Sequence, residues 1–176
     1  MAAFGAVVAR GQDHREVFNL VGRPDWQARA AEFEALHAGF QARDLYPDVM
    51  PTLDRLRSRG YHLAILANQP AQRTAELQAL EVRVEVMAMS AELRVHKPAP
   101  EFFERAAALM NAEPSDIAYV GDRLDNDVWP SSAAGMHAVW LRRGPWGVII
   151  RDDPPAGTLV VDSLTELADR IDEVWQ

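Results

Sequence analysis

The spacing of apolar positions changes near residue 61. Before it the pattern is helical. Residues 2–9 (Ala-Ala-Phe-Gly-Ala-Val-Val-Ala) are apolar and are expected to form a helix running on through Arg15, Val17 and Phe18. Gly22-Arg23-Pro24-Asp25 reads as a turn, with Asp25 as the N-cap of a second helix. Trp26, Ala30, Phe33, Leu36, His37 and Phe40 then recur at helical spacing, and His37 on that stripe reads as a packing residue. Tyr46-Pro47-Asp48 opens another helix, with Val49, Leu53 and Leu56 on one face and Gly60 at its end. No strand is expected in this first third.

After residue 61 short apolar runs alternate with amphipathic ones. Strands are expected at residues 61–67, 84–89, 117–120, 137–141 and 159–161. Helices are expected at about 71–80, at 100–110 with Phe102, Phe103, Ala106 and Leu109 turned inward, and at 130–136, closed by Gly135. A terminal amphipathic helix carries Leu164, Leu167, Ile171 and Val174. This alternation predicts an α/β fold, a Rossmann-like parallel sheet with helices on both faces. Residues 142–147 read as a turn-rich loop holding an arginine against Trp146.

Composition narrows the function classes. A hydrophobic fraction of 48% and a charged fraction of 25% are those of an ordinary globular domain. The net charge of −8 argues against nucleic acid or an anionic membrane as partner. With no cysteine, thiol chemistry and disulfides are excluded. No apolar run reaches membrane-spanning length and no signal peptide is evident, so the expected location is cytoplasmic.

Candidate chemistry gathers at one place. The apolar run 117–120 is followed by Gly121 and then by Asp122, Asp125 and Asp127. Gly121 lacks a Cβ, which permits a sharp exit or a close approach to the backbone. Carboxylates at the carboxyl end of a parallel strand stand where open α/β sheets bind ligands, and Mg²⁺ takes one or two carboxylates together with waters and phosphate oxygens. A solvated acidic loop is the bland alternative. Lys97 adds weight to the site: 17 of the 18 basic residues are arginine, and the one lysine precedes Pro98 after an expected strand. A compact ammonium beside carboxylates and phosphate is a role that the rigid guanidinium fork fills badly.

These residues resemble the haloacid dehalogenase-like hydrolases, a superfamily dominated by Mg²⁺-dependent phosphatases on a Rossmann-like core. Gly121-Asp122-Arg123-Leu124-Asp125-Asn126-Asp127 resembles the fourth motif, with Ala133-Ala134-Gly135-Met136 as its sequel. Lys97-Pro98-Ala99-Pro100-Glu101-Phe102-Phe103 resembles the third, and Leu63-Ala64-Ile65-Leu66-Ala67-Asn68 stands where the second belongs. The resemblance implies that Asp122 binds Mg²⁺, Asp127 supports the metal, Lys97 orients the nucleophile and neutralises phosphate, and Asn68 contacts phosphate. It implies a small-molecule phosphate as substrate, with residues 1–44 a partial helical cap and 45–176 the core.

Two departures qualify this. Ala67 replaces the second motif's Ser or Thr. The first motif, an aspartate nucleophile ending the first strand, has no counterpart, because Asp13, Glu16 and Asp25 follow no apolar strand. The chain is therefore expected to be N-terminally truncated, to hold Mg²⁺ weakly or not at all, and to be inactive as it stands. A non-catalytic interaction module keeping the same fold is the alternative. A dehalogenase would need the same nucleophile and no metal, and a receiver domain would carry its acids early in the chain. The missing strand belongs between those at 61–67 and 117–120. The gap would be closed directly, filled by residues 2–9, or filled by a second copy in a homo-oligomer.

Overall fold

The computed structural model describes Val7, Gln12, residues 16–29, Glu32 and residues 39–176. Most of residues 2–9, and Ala30, Phe33, Leu36 and His37 of the expected second helix, lie outside the described residues. Within them, α1 is Val17–Leu20. The helix expected to start at Trp26 begins instead as turns, in which Trp26, Ala28 and Arg29 each donate to the carbonyl three residues back. α2 (Val49–Ser58) follows Asp48, buries Thr52 and Leu56, and gives way to Gly60 in the left-handed region at φ +87°.

The α/β part then runs in the expected order. It comprises β1 (Ala64–Ala67), α3 (Gln72–Ala79), β2 (Val86–Met89), α4 (Ser90–Leu93), α5 (Pro100–Met110) and β3 (Ala118–Gly121). A π-helical turn, Leu124–Val128, leads into α6 (Trp129–Ala133), β4 (His137–Leu141), α7 (Gly144–Ile149), β5 (Leu159–Val161) and α8 (Leu164–Arg170), which tightens into a 3₁₀ turn at Ile171–Trp175. Pro100 in the first turn of α5 loses no hydrogen bond there, and Ser163 caps α8 by accepting from the Glu166 amide at 3.0 Å.

Helices cover both sides of the strands. Leu56 of α2 and Leu167 and Ala168 of α8 pack with Val139, Leu159 and Val161. Phe102, Phe103, Ala106 and Ala107 of α5 form a second apolar cluster with Met136. Val139 faces the first cluster while its neighbours Ala138 and Trp140 face Leu124 and Val128, as the two-residue period of a strand requires.

Several expectations need correcting. Leu109 is not an inward residue of α5: it is 45% exposed, and Ala107 takes the buried position. The helix turns 100° per residue, so Phe103 and Ala107, four apart, share the inner face. Residues 142–147 are not merely a loop, because Gly144–Ile149 forms α7, with Pro145 in its first turn. The arginine over Trp146 is Arg123, 4.3 Å from the ring centroid, while Arg143 stacks on Tyr46 at 3.9 Å.

The strands make two parallel sheets, β1–β2 and β3–β4–β5, with Ala64 opposite Val86, Ala118 opposite His137 and Val139 opposite Leu159. Among the described residues no strand joins β1 to β3. A cavity of about 830 Å³ lies between them, lined by Ala64–Leu66 on one side and Ala118–Val120 on the other. Val7, the one described member of residues 2–9, is helical and buried.

Candidate functional site

The carboxyl ends of β3 and β4 and the loop before α5 converge on a pocket of about 330 Å³ that includes Lys97, Gly121, Asp122, Asp127 and Leu141. β3 delivers Gly121 and Asp122 at its end. The π-helical turn then folds Asp127 back over the strand end, where its Oδ2 accepts from the Arg123 amide at 3.2 Å. Gly121 makes this possible. A Cβ built there would stand 2.3 Å from the Cβ of Asp127, so the group approaching this backbone is the protein's own carboxylate.

Lys97 reaches the same point from a different segment. Its Nζ donates to Oδ1 of Asp127 at 2.5 Å. Burial pulls the ammonium's pKa down, but the charge of Asp127 and the neighbouring Tyr119 outweigh it, so Lys97 stays above its ordinary value and protonated. The ammonium also lies 5.7 Å from the ring centroids of Phe102 and Tyr119. Burial, helped by Asp127, pushes the Tyr119 hydroxyl up to about 12, with Lys97 opposing.

Asp122 stands in a different balance. Burial and then the Asp127 charge push its carboxyl up to about 6, against the opposing effects of its own amide, Lys97 and Arg123. Lys97 is committed to Asp127, so Asp122 is a carboxylate short of positive charge. Among the described residues no cluster of three or more metal-ligating side chains stands ready. A cation at Asp122 would instead rest on one carboxylate, with Asp127 behind it.

Asn68, expected beside phosphate, is placed at the end of β1 with its amide turned to the Lys97 backbone. Its Oδ1 accepts from the Lys97 amide and its Nδ2 donates to the Lys97 carbonyl, both at 2.8 Å. This two-bond clamp fixes the segment that presents the ammonium, across the cis peptide before Pro98.

Other residues of the site were not legible in sequence. Trp140 donates from Nε1 to the Asp122 carbonyl at 3.2 Å, holding the turn from behind. Tyr46 and Arg143 line the pocket mouth. Arg143 makes two 2.8 Å bonds from Nη1 to the Asp48 carboxylate, which also accepts from the Leu164 amide at 2.8 Å. The only sequence signal for this pair was the acid opening α2, a residue type that suits any helix start. Arg123 grips Asp125 through Nε at 3.0 Å and Nη2 at 2.6 Å, which takes Asp125 away from the pocket.

Residues 3–135 match the family model of haloacid dehalogenase-like hydrolases. The chain is 33% identical over 174 residues to a glyceraldehyde 3-phosphate phosphatase of Methanopyrus kandleri, covering 93% of this chain and 75% of that one. It is 33% identical over 136 residues to a phosphoserine phosphatase of Thermus thermophilus, covering 74% of this chain but only 53% of the relative's length. Among solved structures, an HAD phosphatase from Thermococcus onnurineus superposes with a TM-score of 0.68 at 23% identity, over 96% of this chain and 86% of that one, a likeness of fold.

Proposed function

The chain belongs to the haloacid dehalogenase-like hydrolases, and from that premise we propose that its site is built for phosphate, binding the phosphoryl group of a small-molecule ester beside a divalent cation. The observation that carries this is the buried Lys97–Asp127 pair standing beside the charge-deficient Asp122. Lys97 presents a fixed positive charge toward the pocket and neutralises a phosphoryl oxygen. Asp127 holds that ammonium in place and keeps it protonated. Asn68 clamps the Lys97 backbone, and its remaining amide hydrogen is available to a phosphate oxygen.

Mg²⁺ suits the donor set, since a hard cation takes oxygen ligands and is satisfied by one or two carboxylates plus water and phosphate. Asp122 would hold it, with Asp127 in support. Bound there, the ion would supply charge stabilisation to a transferring phosphoryl group. With so few protein ligands we expect weak binding.

Hydrolysis by the family route needs a nucleophilic carboxylate. Among the described residues lining the pocket, the carboxylates are Asp122 and Asp127, and Asp127 is bound to Lys97. We therefore expect this chain by itself to bind phosphate without turnover, as a fold retained for binding. From the family resemblance we also propose residues 1–44 as a partial helical cap and the cytoplasm as the location. No helix among the described residues is long and apolar enough to cross a membrane.

Two assays on the purified chain test this. Phosphorus NMR with inorganic phosphate and Mg²⁺ should show binding that is lost in Lys97→Ala. Incubation with glyceraldehyde 3-phosphate, phosphoserine and phosphoglycolate should release no phosphate. Turnover abolished by Asp122→Ala would show that another acid serves as nucleophile, and unchanged phosphate binding in Lys97→Ala would overturn the site.

A further inference from the structure

Four arginines of this chain meet a carboxylate in the same way. Arg29, Arg123, Arg142 and Arg170 each turn the edge formed by Nε and Nη2 toward an acid. Arg143 departs from this pattern. Its Nη1 alone makes both bonds to Asp48, at 2.8 Å each. Among the described residues nothing accepts from its Nε or Nη2, so three N–H donors on the fork-shaped edge are left over.

The guanidinium is held in place before any ligand arrives. Its Cζ stands 3.9 Å from the centroid of the Tyr46 ring, and Asp48 is itself anchored by the Leu164 amide at 2.8 Å. The side chains of the ion pair are 17% and 16% exposed, so water reaches them only in part. Tyr46 and Arg143 line the same pocket of about 330 Å³ as Lys97 and Asp122. Of the two cationic side chains lining it, Lys97 is bound to Asp127, and Arg143 keeps a planar edge of donors open.

We infer that Arg143 is a specificity-determining residue, whose open edge takes the carboxylate of a short phosphorylated hydroxy acid while Lys97 takes its phosphoryl group. This rests on the reading of the pocket as a phosphate site. The edge itself names the second group. Two parallel N–H donors match the two oxygens of a carboxylate, and a charge-assisted pair of this kind is both strong and directional. A hydroxyl or aldehyde oxygen offers one atom and no charge. Asp48 does not fill the role, because it occupies Nη1 alone. Volume limits what joins the two anions: about 330 Å³ is at the low end for ligand sites, so few carbons separate them. Tyr46, Leu141 and Pro145 provide the wall for those carbons. Arg143 follows β4 directly, so this selection is built into the core itself.

The test measures binding to the intact chain with Mg²⁺ by phosphorus NMR. The probes are phospholactate and 3-phosphoglycerate, which place one and two carbons between ester oxygen and carboxyl group, and the carboxamide of each. Inorganic phosphate is the reference. At least one acid should bind at least about tenfold more tightly than its amide, the gain from a hydrogen-bonded charge. Arg143→Lys keeps a cation for Asp48 but lacks the fork, and there the ratio should fall below about threefold. Asp48→Asn/Arg143→Gln removes the ion pair as a unit and should give the same loss even if the lysine variant melts early. Acids no tighter than their amides would overturn the inference and leave the phosphate site standing. A ratio that survives both variants would also overturn it, placing the carboxylate on the cation instead. If inorganic phosphate and all the esters fail to bind, the phosphate reading falls and the inference with it.

Discussion

The Nζ of Lys97 lies 2.5 Å from Oδ1 of Asp127, with the two side chains 11% and 4% exposed. A charge pair so removed from water is held by its geometry. Asp127 also takes the Arg123 amide, so both of its oxygens are occupied. The pair does two things at once: it locks the π-helical turn to the loop before α5, and it fixes the position of the one lysine in the chain.

Breaking that pair should be far worse than replacing it. Asp127→Ala strands a buried ammonium and should lower stability by about 3–5 kcal/mol. The double variant Lys97→Met/Asp127→Leu removes both charges and should be less destabilised than Asp127→Ala alone. Urea unfolding of both variants decides. A double variant as unstable as the single one would mean that the pair's contribution is packing alone.

Asp122 should make the metal-free protein less stable as pH rises. Its folded pKa is raised from 3.8 to about 6. The folded state therefore binds more protons than the unfolded state between these values. Its contribution is fully present below pH 3.8 and is lost as pH rises through about 6. At pH 7 Asp122→Asn should stabilise the metal-free chain by about 1–3 kcal/mol, and the difference should vanish near pH 4. Thermal melts at the two pH values measure this, and a variant less stable than the parent at pH 7 would refute it.

Gly121→Ala should fail for a steric reason. The new Cβ would meet the Cβ of Asp127 at 2.3 Å and its Cγ at 2.5 Å, atoms too near the backbone to swing aside. The turn must shift, at a cost of about 1–3 kcal/mol. The shift should also part Lys97 from Asp127, so phosphate binding should weaken together with the melting temperature. Near-parental stability would show that the turn adapts.

Asn68→Ala should separate positioning from folding. It removes two hydrogen bonds to the Lys97 backbone at an exposed site, so stability should drop by only about 1 kcal/mol. Phosphate affinity should fall by a larger factor, since the Lys97 segment is no longer pinned. Loss of stability with affinity unchanged would assign Asn68 a purely structural part.

The order of elements, the apolar faces and the place of the chemistry were legible in the chain itself. Pro100 and the Phe102–Phe103 pair define α5, β4 and β5 coincide with their apolar runs, and Asp122 stands after the expected strand. These features are local: they depend on period, on capping and on which residues tolerate burial. Tertiary structure alone decided the rest. Asp127 binds Lys97 from 30 residues away, Arg143 binds Asp48 from 95 residues away, and Trp146 receives Arg123 rather than a neighbour in sequence. Gly121 answers to the Asp127 side chain, a clash that no local pattern reveals. The gap between β1 and β3, where no strand lies among the described residues, was expected from the family resemblance, but what stands alongside each edge depends on placement in space and not on the strand's own residues.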